Sequence, residues 1–238
     1  MGDADRPIRV LGLQCGLCGN PLHGVPSDEA FCCWTCGRAL DLSGGTPVPV
    51  PLQFCACEGD QILLPFWRFE TLVTLAVAPP EKAEAVTGWC GPHRAWVPAF
   101  RLHNAQYFPD AGVVFTLSQP ELPTAREGRL AGISRGRAAA EKHLETILTT
   151  CLDRSVDVTG VRLAVSVESA GLVGVPFTLE GRFLTRADGR LRYPVNGLEG
   201  AAEVAELCAW PAGAASDGRG GASSGLSWAA SRCGLRRP

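Results

Sequence analysis

An excess of charge of either sign is the first thing missing from this chain: 22 Lys and Arg face 24 Asp and Glu, a formal −2. So small a net charge supplies no general pull toward nucleic acid or anionic lipid. Long hydrophobic runs are missing too. No window approaches the about eighteen consecutive apolar residues of a membrane span, so no membrane partner is expected. The opening residues, MGDADRPIRV, carry acidic side chains and only a short apolar run, which is not the pattern of a secretory signal. Nor does the sequence hold a Walker A loop, a G-x-G-x-x-G or an H-E-x-x-H, so no common nucleotide or catalytic-metal motif points to an enzyme. The expected setting is a reducing cytoplasm.

What is present suffices for a packed protein. With 238 residues, 46% hydrophobic and 19% charged, the chain can build one sizeable domain, alone or with a small module. Eleven cysteines without a secretion signal read as metal ligands and buried thiols rather than disulfides.

Five of those cysteines lie in CGLCGNPLHGVPSDEAFCCWTCGRAL, from Cys15 to Leu40. Cys15-Gly-Leu-Cys18-Gly19 and Cys33-Trp-Thr-Cys36-Gly37 are two CxxCG units with fourteen residues between Cys18 and Cys33. A CxxC turn puts two sulfurs on one side of a tight bend, and the following glycine lets the backbone turn with positive φ. Two such turns facing each other supply the tetrahedral shell that zinc prefers, with thiolates at about 2.3 Å. Cys32 could compete, but only Cys33 has the two-residue spacing to Cys36. Over residues 13–42 the pattern resembles the zinc-ribbon (rubredoxin-knuckle) class. That resemblance implies one structural Zn2+ on Cys15, Cys18, Cys33 and Cys36 with no open coordination position. Iron is the lesser alternative for four thiolates.

Charge bears on the partner. Residues 1–60 hold Arg6, Arg9 and Arg38 against Asp3, Asp5, Asp28, Glu29, Asp41, Glu58 and Asp60. A nucleic-acid-binding ribbon would show the opposite balance. The favoured partner is therefore a protein meeting a rigid acidic surface, with Phe31 and Trp34 as contact candidates or as packing on the metal site. Nothing in the sequence sets the oligomeric state.

Beyond the ribbon, SGGTPVPVPLQ at 43–53 reads as an extended Pro/Gly linker. The region 54–210 reads as a mixed, mainly antiparallel α+β domain. Strands are expected over 61–78, 95–103 and 111–117, and a short helical piece over 79–86. The clearest helix begins near Ser134, a candidate N-cap, with Ala140, Leu144, Ile147, Leu148, Cys151 and Leu152 at helical spacing. Alternating residues from 161 and again from 173 predict strands with one buried face, and Asp188-Gly189 predicts a hairpin turn. A short helix is expected over 198–210. The tail 211–238, rich in Gly and Ser, reads as disordered, with no folded role for Cys233.

Several constellations are candidates for chemistry. Leu64-Pro-Phe-Trp-Arg68-Phe69 is echoed by Val97-Pro-Ala-Phe-Arg101-Leu102, so Arg68 and Arg101 either clamp an acidic ligand or simply flank strand starts with core aromatics. Cys55, Cys57, Cys90 and His93 have the ligand types of a second zinc site. Gly132-Ile-Ser134-Arg-Gly136 matches a nucleophile elbow, but no buried strand precedes it. His143, the last histidine, sits in the same helix, so a hydrolase is excluded. Arg129, Arg135 and Arg137 at a glycine-rich helix start could hold an anion. The expected function is that of a non-enzymatic, zinc-binding interaction or scaffold protein. The alternatives are a nucleic-acid-binding ribbon and an enzyme whose pocket involves Arg68, Arg101 and His103.

Overall fold

A computed structural model describes residues 13–199, apart from 25–26, 59–60, 108–109, 127 and 129. The strands are β1 (Ala30–Cys33), β2 (Arg38–Asp41), β3 (Val48–Cys55), β4 (Gln61–Val77), β5 (Gly91–Pro98), β6 (Thr124–Ala125), β7 (Arg162–Glu180), β8 (Phe183–Thr185) and β9 (Arg192–Pro194). Among the described residues three α-helices accompany them: α1 (Pro80–Trp89), α2 (Ala111–Ser118) and α3 (Arg137–Leu152). Strands β1-β2-β3-β7-β4-β5 are hydrogen-bonded in that order, with β6 on β3, β8 on β7 and β9 on β8. All these pairings are antiparallel except β3 with β7, so the fold is α+β on a mixed sheet. The helix expected over 198–210 lies, from residue 200, outside the described residues, as does the 211–238 tail with Cys233.

Two long strands form the spine. β4 pairs with β7 from Gln61 opposite Thr178 to Val77 opposite Arg162, with register shifts at Glu70/Thr71 and Leu75/Val77. Their inner halves are buried on both faces, because Ile62 to Trp67 and Leu172 to Val175 show no exposed position. One buried face was the expectation for β7, and it describes only the outer half of the strand. Pro65 is tolerated in central β4 because its carbonyl side faces Ala99, just past the end of β5, so the missing N–H breaks no ladder bond there. Phe66 is the hub, meeting Phe100, Phe115 and Trp96 edge-on at 5.4, 4.8 and 6.5 Å. The 43–53 run is extended as its prolines require and lies largely in β3. The first half of β3 pairs with β2 and its second half with β7. The Asp188-Gly189 turn joins β8 to β9, with Gly189 at φ 68° and its N–H on the Arg186 carbonyl at 2.8 Å.

Three local expectations need correction. AGVVFTL is not a strand but α2: Asp110 caps it by accepting from the Gly112 N–H at 2.8 Å. Buried against β5 and α3 along most of its length, this helix has no continuous polar face, so the mostly apolar AGVVFTL carried no helical period to read. Ser134 does not cap α3; its buried hydroxyl accepts from the Arg101 N–H at 3.0 Å, and Gly136 is the N-cap. The strand expected over 95–103 begins at Gly91 and ends at Pro98.

Candidate metal centre

The first knuckle is closed by its backbone. The Cys15 N–H donates to the Asn20 carbonyl at 2.8 Å and the Gly19 N–H to the Cys15 carbonyl at 2.9 Å. Gly19 and Gly37 sit at φ 72° and 63°, the left-handed turn that a Cβ would strain after each CxxC. The second knuckle is the β1–β2 turn, since Cys33 pairs with Arg38 across it. His23 and Cys32 exchange backbone hydrogen bonds at 2.8 and 3.0 Å, which fixes one knuckle against the other.

This brings the Cys15, Cys18, Cys33 and Cys36 sulfurs within 4.8 Å of one another. Cys15 to Cys36 and Cys18 to Cys33 are each 3.4 Å. A tetrahedral ion with sulfurs at about 2.3 Å would set them about 3.8 Å apart, so the four residues fit a metal ion with a few tenths of an ångström of expansion. Among the described residues this is the group of His, Cys, Asp or Glu side chains placed to hold one. Cys32 is not in it; it packs in the core. Amide hydrogen bonds from Cys18 and Leu17 hold the Cys15 thiol down to about 6, whereas burial pushes Cys36 up to about 12. The Asn20 side-chain amide reaches the Cys18 sulfur at 3.5 Å.

Trp34 stacks on His23, ring centres 3.8 Å apart and planes 9° from parallel, and packs against the core. Of the acidic residues expected to form a surface, Asp3, Asp5 and Asp60 lie outside the described residues and Glu58 is exposed, whereas three others are engaged within the protein. Asp28 and Asp41 are buried, Glu29 pairs with Arg101 at 2.7 Å, and Asp41 accepts from Ser43 and from the Arg137 N–H. These groups close the start of α3: the N–H groups of Gly136, Arg137 and Ala138 donate to Glu29, Asp41 and Ser43. The helix-start amides expected to hold an anion are therefore filled by the protein's own side chains, while the Arg135 side chain turns to the Pro98 carbonyl. Arg137 pairs with Glu141 at 2.7 Å, and Arg129 lies outside the described residues. No local pattern announces this clamp, because its partners are about a hundred residues apart in sequence.

The other candidate residues are not assembled. Cys55 ends β3 and His93 lies in β5, with β7 and β4 between those strands. Phe54, beside Cys55, is level with Gly174 and Pro65, whereas His93 is level with Thr71. Cys90 caps α1, the His93 ring stacks on Trp89, and the Cys57 thiol reaches back to the Cys55 carbonyl. These four do not form a second metal site. The echoed segments run in opposite directions on paired strands, so Arg68 lies opposite Trp96 while Arg101 falls beyond β5. Arg68 donates to Gln53, Arg101 pairs with Glu29 and Glu199, and His103 is exposed. Comparison with protein-family models, curated proteins and solved structures finds no match to this chain.

Proposed function

We propose that the chain is a zinc protein whose residues 13–42 form a structural zinc ribbon, and that it acts by binding another protein rather than by catalysis. The observation that carries the metal is the four-sulfur group itself. Thiolates select zinc over hard cations, and four filled corners leave no place for water or substrate. A structural ion of this kind is worth on the order of 10 kcal/mol of folding free energy, which a hairpin this short needs. Support for a protein partner comes from the first knuckle. Leu17, between Cys15 and Cys18, is 65% exposed and Leu13 is 39% exposed, so apolar side chains are held out on a turn the metal would fix. With Asp28, Glu29 and Asp41 engaged internally, this apolar tip is a better contact candidate than an acidic face.

The test is metal analysis of the purified full-length protein, followed by cross-linked partner capture. One zinc per chain, absent from Cys15→Ser and Cys33→Ser, is the expected result. Iron with a thiolate absorption band would replace the structural reading with electron transfer. Leu17→Asp should keep its zinc and lose the captured partner. Capture unchanged in that variant removes the tip from the interface.

A further inference from the structure

A cavity of about 220 Å³ lies where the end of β5 meets α2 and α3. Its apolar wall includes Phe100, Ile147 and Tyr193, and its polar groups are Asp110, Arg135, His143 and Thr146. At about 30 Å³ per molecule it would hold roughly seven waters, below the about 300–1,000 Å³ of sites for larger ligands. Arg135 is fixed there by its backbone: its N–H donates to Ala99 at 2.9 Å, and its carbonyl accepts from the Trp67 indole at 2.8 Å. One guanidinium nitrogen, Nη1, donates to the Pro98 carbonyl at 3.0 Å. Among the described residues its remaining N–H groups have no hydrogen-bond partner, and no carboxylate forms an ion pair with it. Asp110, Glu199 and Glu29 act on it only through longer-range attraction, the Arg101 charge opposes them, and Glu29 and Glu199 already pair with Arg101. A half-buried guanidinium with free donors facing an apolar wall is a carboxylate-binding arrangement.

We propose that this cavity binds a small monocarboxylate with an apolar body, its carboxylate on Arg135 and its body against Phe100, Ile147 and Tyr193. Asp110 sets the charge of the ligand. Its Oδ1 is held by the Gly112 N–H, so it cannot turn away, and a dianion would meet a fixed negative charge at the rim. Burial and the neighbouring Arg135 lower the His143 pKa, so its neutral imidazole adds a hydrogen-bonding group without a second positive charge. The sequence marked Arg135 as a candidate anion contact but not this grouping, since Arg135 and His143 come together with Asp110 and Tyr193 only through packing.

Benzoate is the probe, titrated into the full-length, metal-loaded protein by calorimetry and by thermal shift. Benzamide serves as its neutral analogue and inorganic phosphate as the dianion. Saturable binding of one benzoate per chain, with benzamide and phosphate at least about tenfold weaker, is expected from the loss of a charged hydrogen-bonded pair. Arg135→Gln should weaken benzoate by a similar factor. Because Arg135 also holds Pro98, Thr146→Trp provides a second variant: it fills the cavity from an exposed helix position, and should abolish binding while the melting temperature is retained. No saturable binding up to about 10 mM benzoate overturns the proposal, as does equal affinity for benzamide, tighter binding of phosphate, or unchanged affinity in Thr146→Trp.

Discussion

At the scale of single residues, the chemistry of this protein is set by where thiols sit. Cys36 keeps its proton at neutral pH because burial holds it near 12, so a cation entering the cluster must release that proton. Metal affinity therefore rises with pH and falls as pH drops. Below the value of about 6 for Cys15 a proton competes at that sulfur as well, and the loss steepens. Release of the proposed zinc ion to a chromophoric chelator should increase progressively between about pH 8 and 5; retention that stays flat over that range contradicts four-thiolate ligation. Cys55 and Cys151 lie outside the cluster, and burial, with smaller contributions from Cys57 and Asp110 respectively, pushes each up to about 11. They stay thiols at pH 8, and the thiolate is the reactive form. In a native alkylation experiment read by mass spectrometry they should remain unmodified and react only after denaturation.

Elements of secondary structure here depend on distant side chains as much as on their own sequence. α3 has no side-chain cap of its own, since its N-cap is Gly136. Asp41 and Ser43 accept from its first amides, and Gly136 lies so close to Ser43 that any Cβ would collide with it. Asp41→Ala should destabilise the protein by about 1–2 kcal/mol in urea unfolding, the cost of a lost cap at a buried site. A change within error would mean that water replaces the carboxylate without loss. α2 makes the complementary case. At Gly112 a Cβ would stand 2.6 Å from both Ile147 Cδ1 and the Trp96 carbonyl, so Gly112→Ala should cost about 1–3 kcal/mol despite alanine's better helix propensity. A stabilised Gly112→Ala would show that α2 does not pack against β5 as described.

For the molecule as a whole, β3 ties the cysteine-bearing hairpin to the larger sheet, since it pairs with β2 at one end and with β7 at the other. The same hairpin supplies Glu29, Asp41 and Ser43 to α3. Removing the metal should therefore do more than unfold residues 13–42. Chelation is expected to raise hydrogen exchange through β1 to β3 and at the first turn of α3, and to lower the melting temperature of the remainder. The β4–β7 spine, buried on both faces along its inner half, should exchange last. An unchanged melting temperature after complete metal removal would show the hairpin to be an independent unit.

Residue spacing alone determined the most chemical feature of this protein. Cys15, Cys18, Cys33 and Cys36 converge because each CxxCG turn is a local device: two residues set the sulfur separation and the glycine supplies the bend. Period-two alternation likewise marked the outer half of β7, and helical spacing marked α3, because one face of each meets solvent. Spacing was silent where solvent is absent. The inner halves of β4 and β7 are buried nearly all round and α2 along most of its length, so their apolar runs carry no period. Tertiary structure alone decided that Glu29 and Asp41 turn inward to close α3, that Arg68 and Arg101 part company, and that Cys55 and His93 stand apart across the sheet. It also decided that Arg135, His143 and Asp110 share one cavity. Each of these outcomes depends on which strand lies beside which, and long-range pairing of that kind leaves no mark in the residues immediately around it.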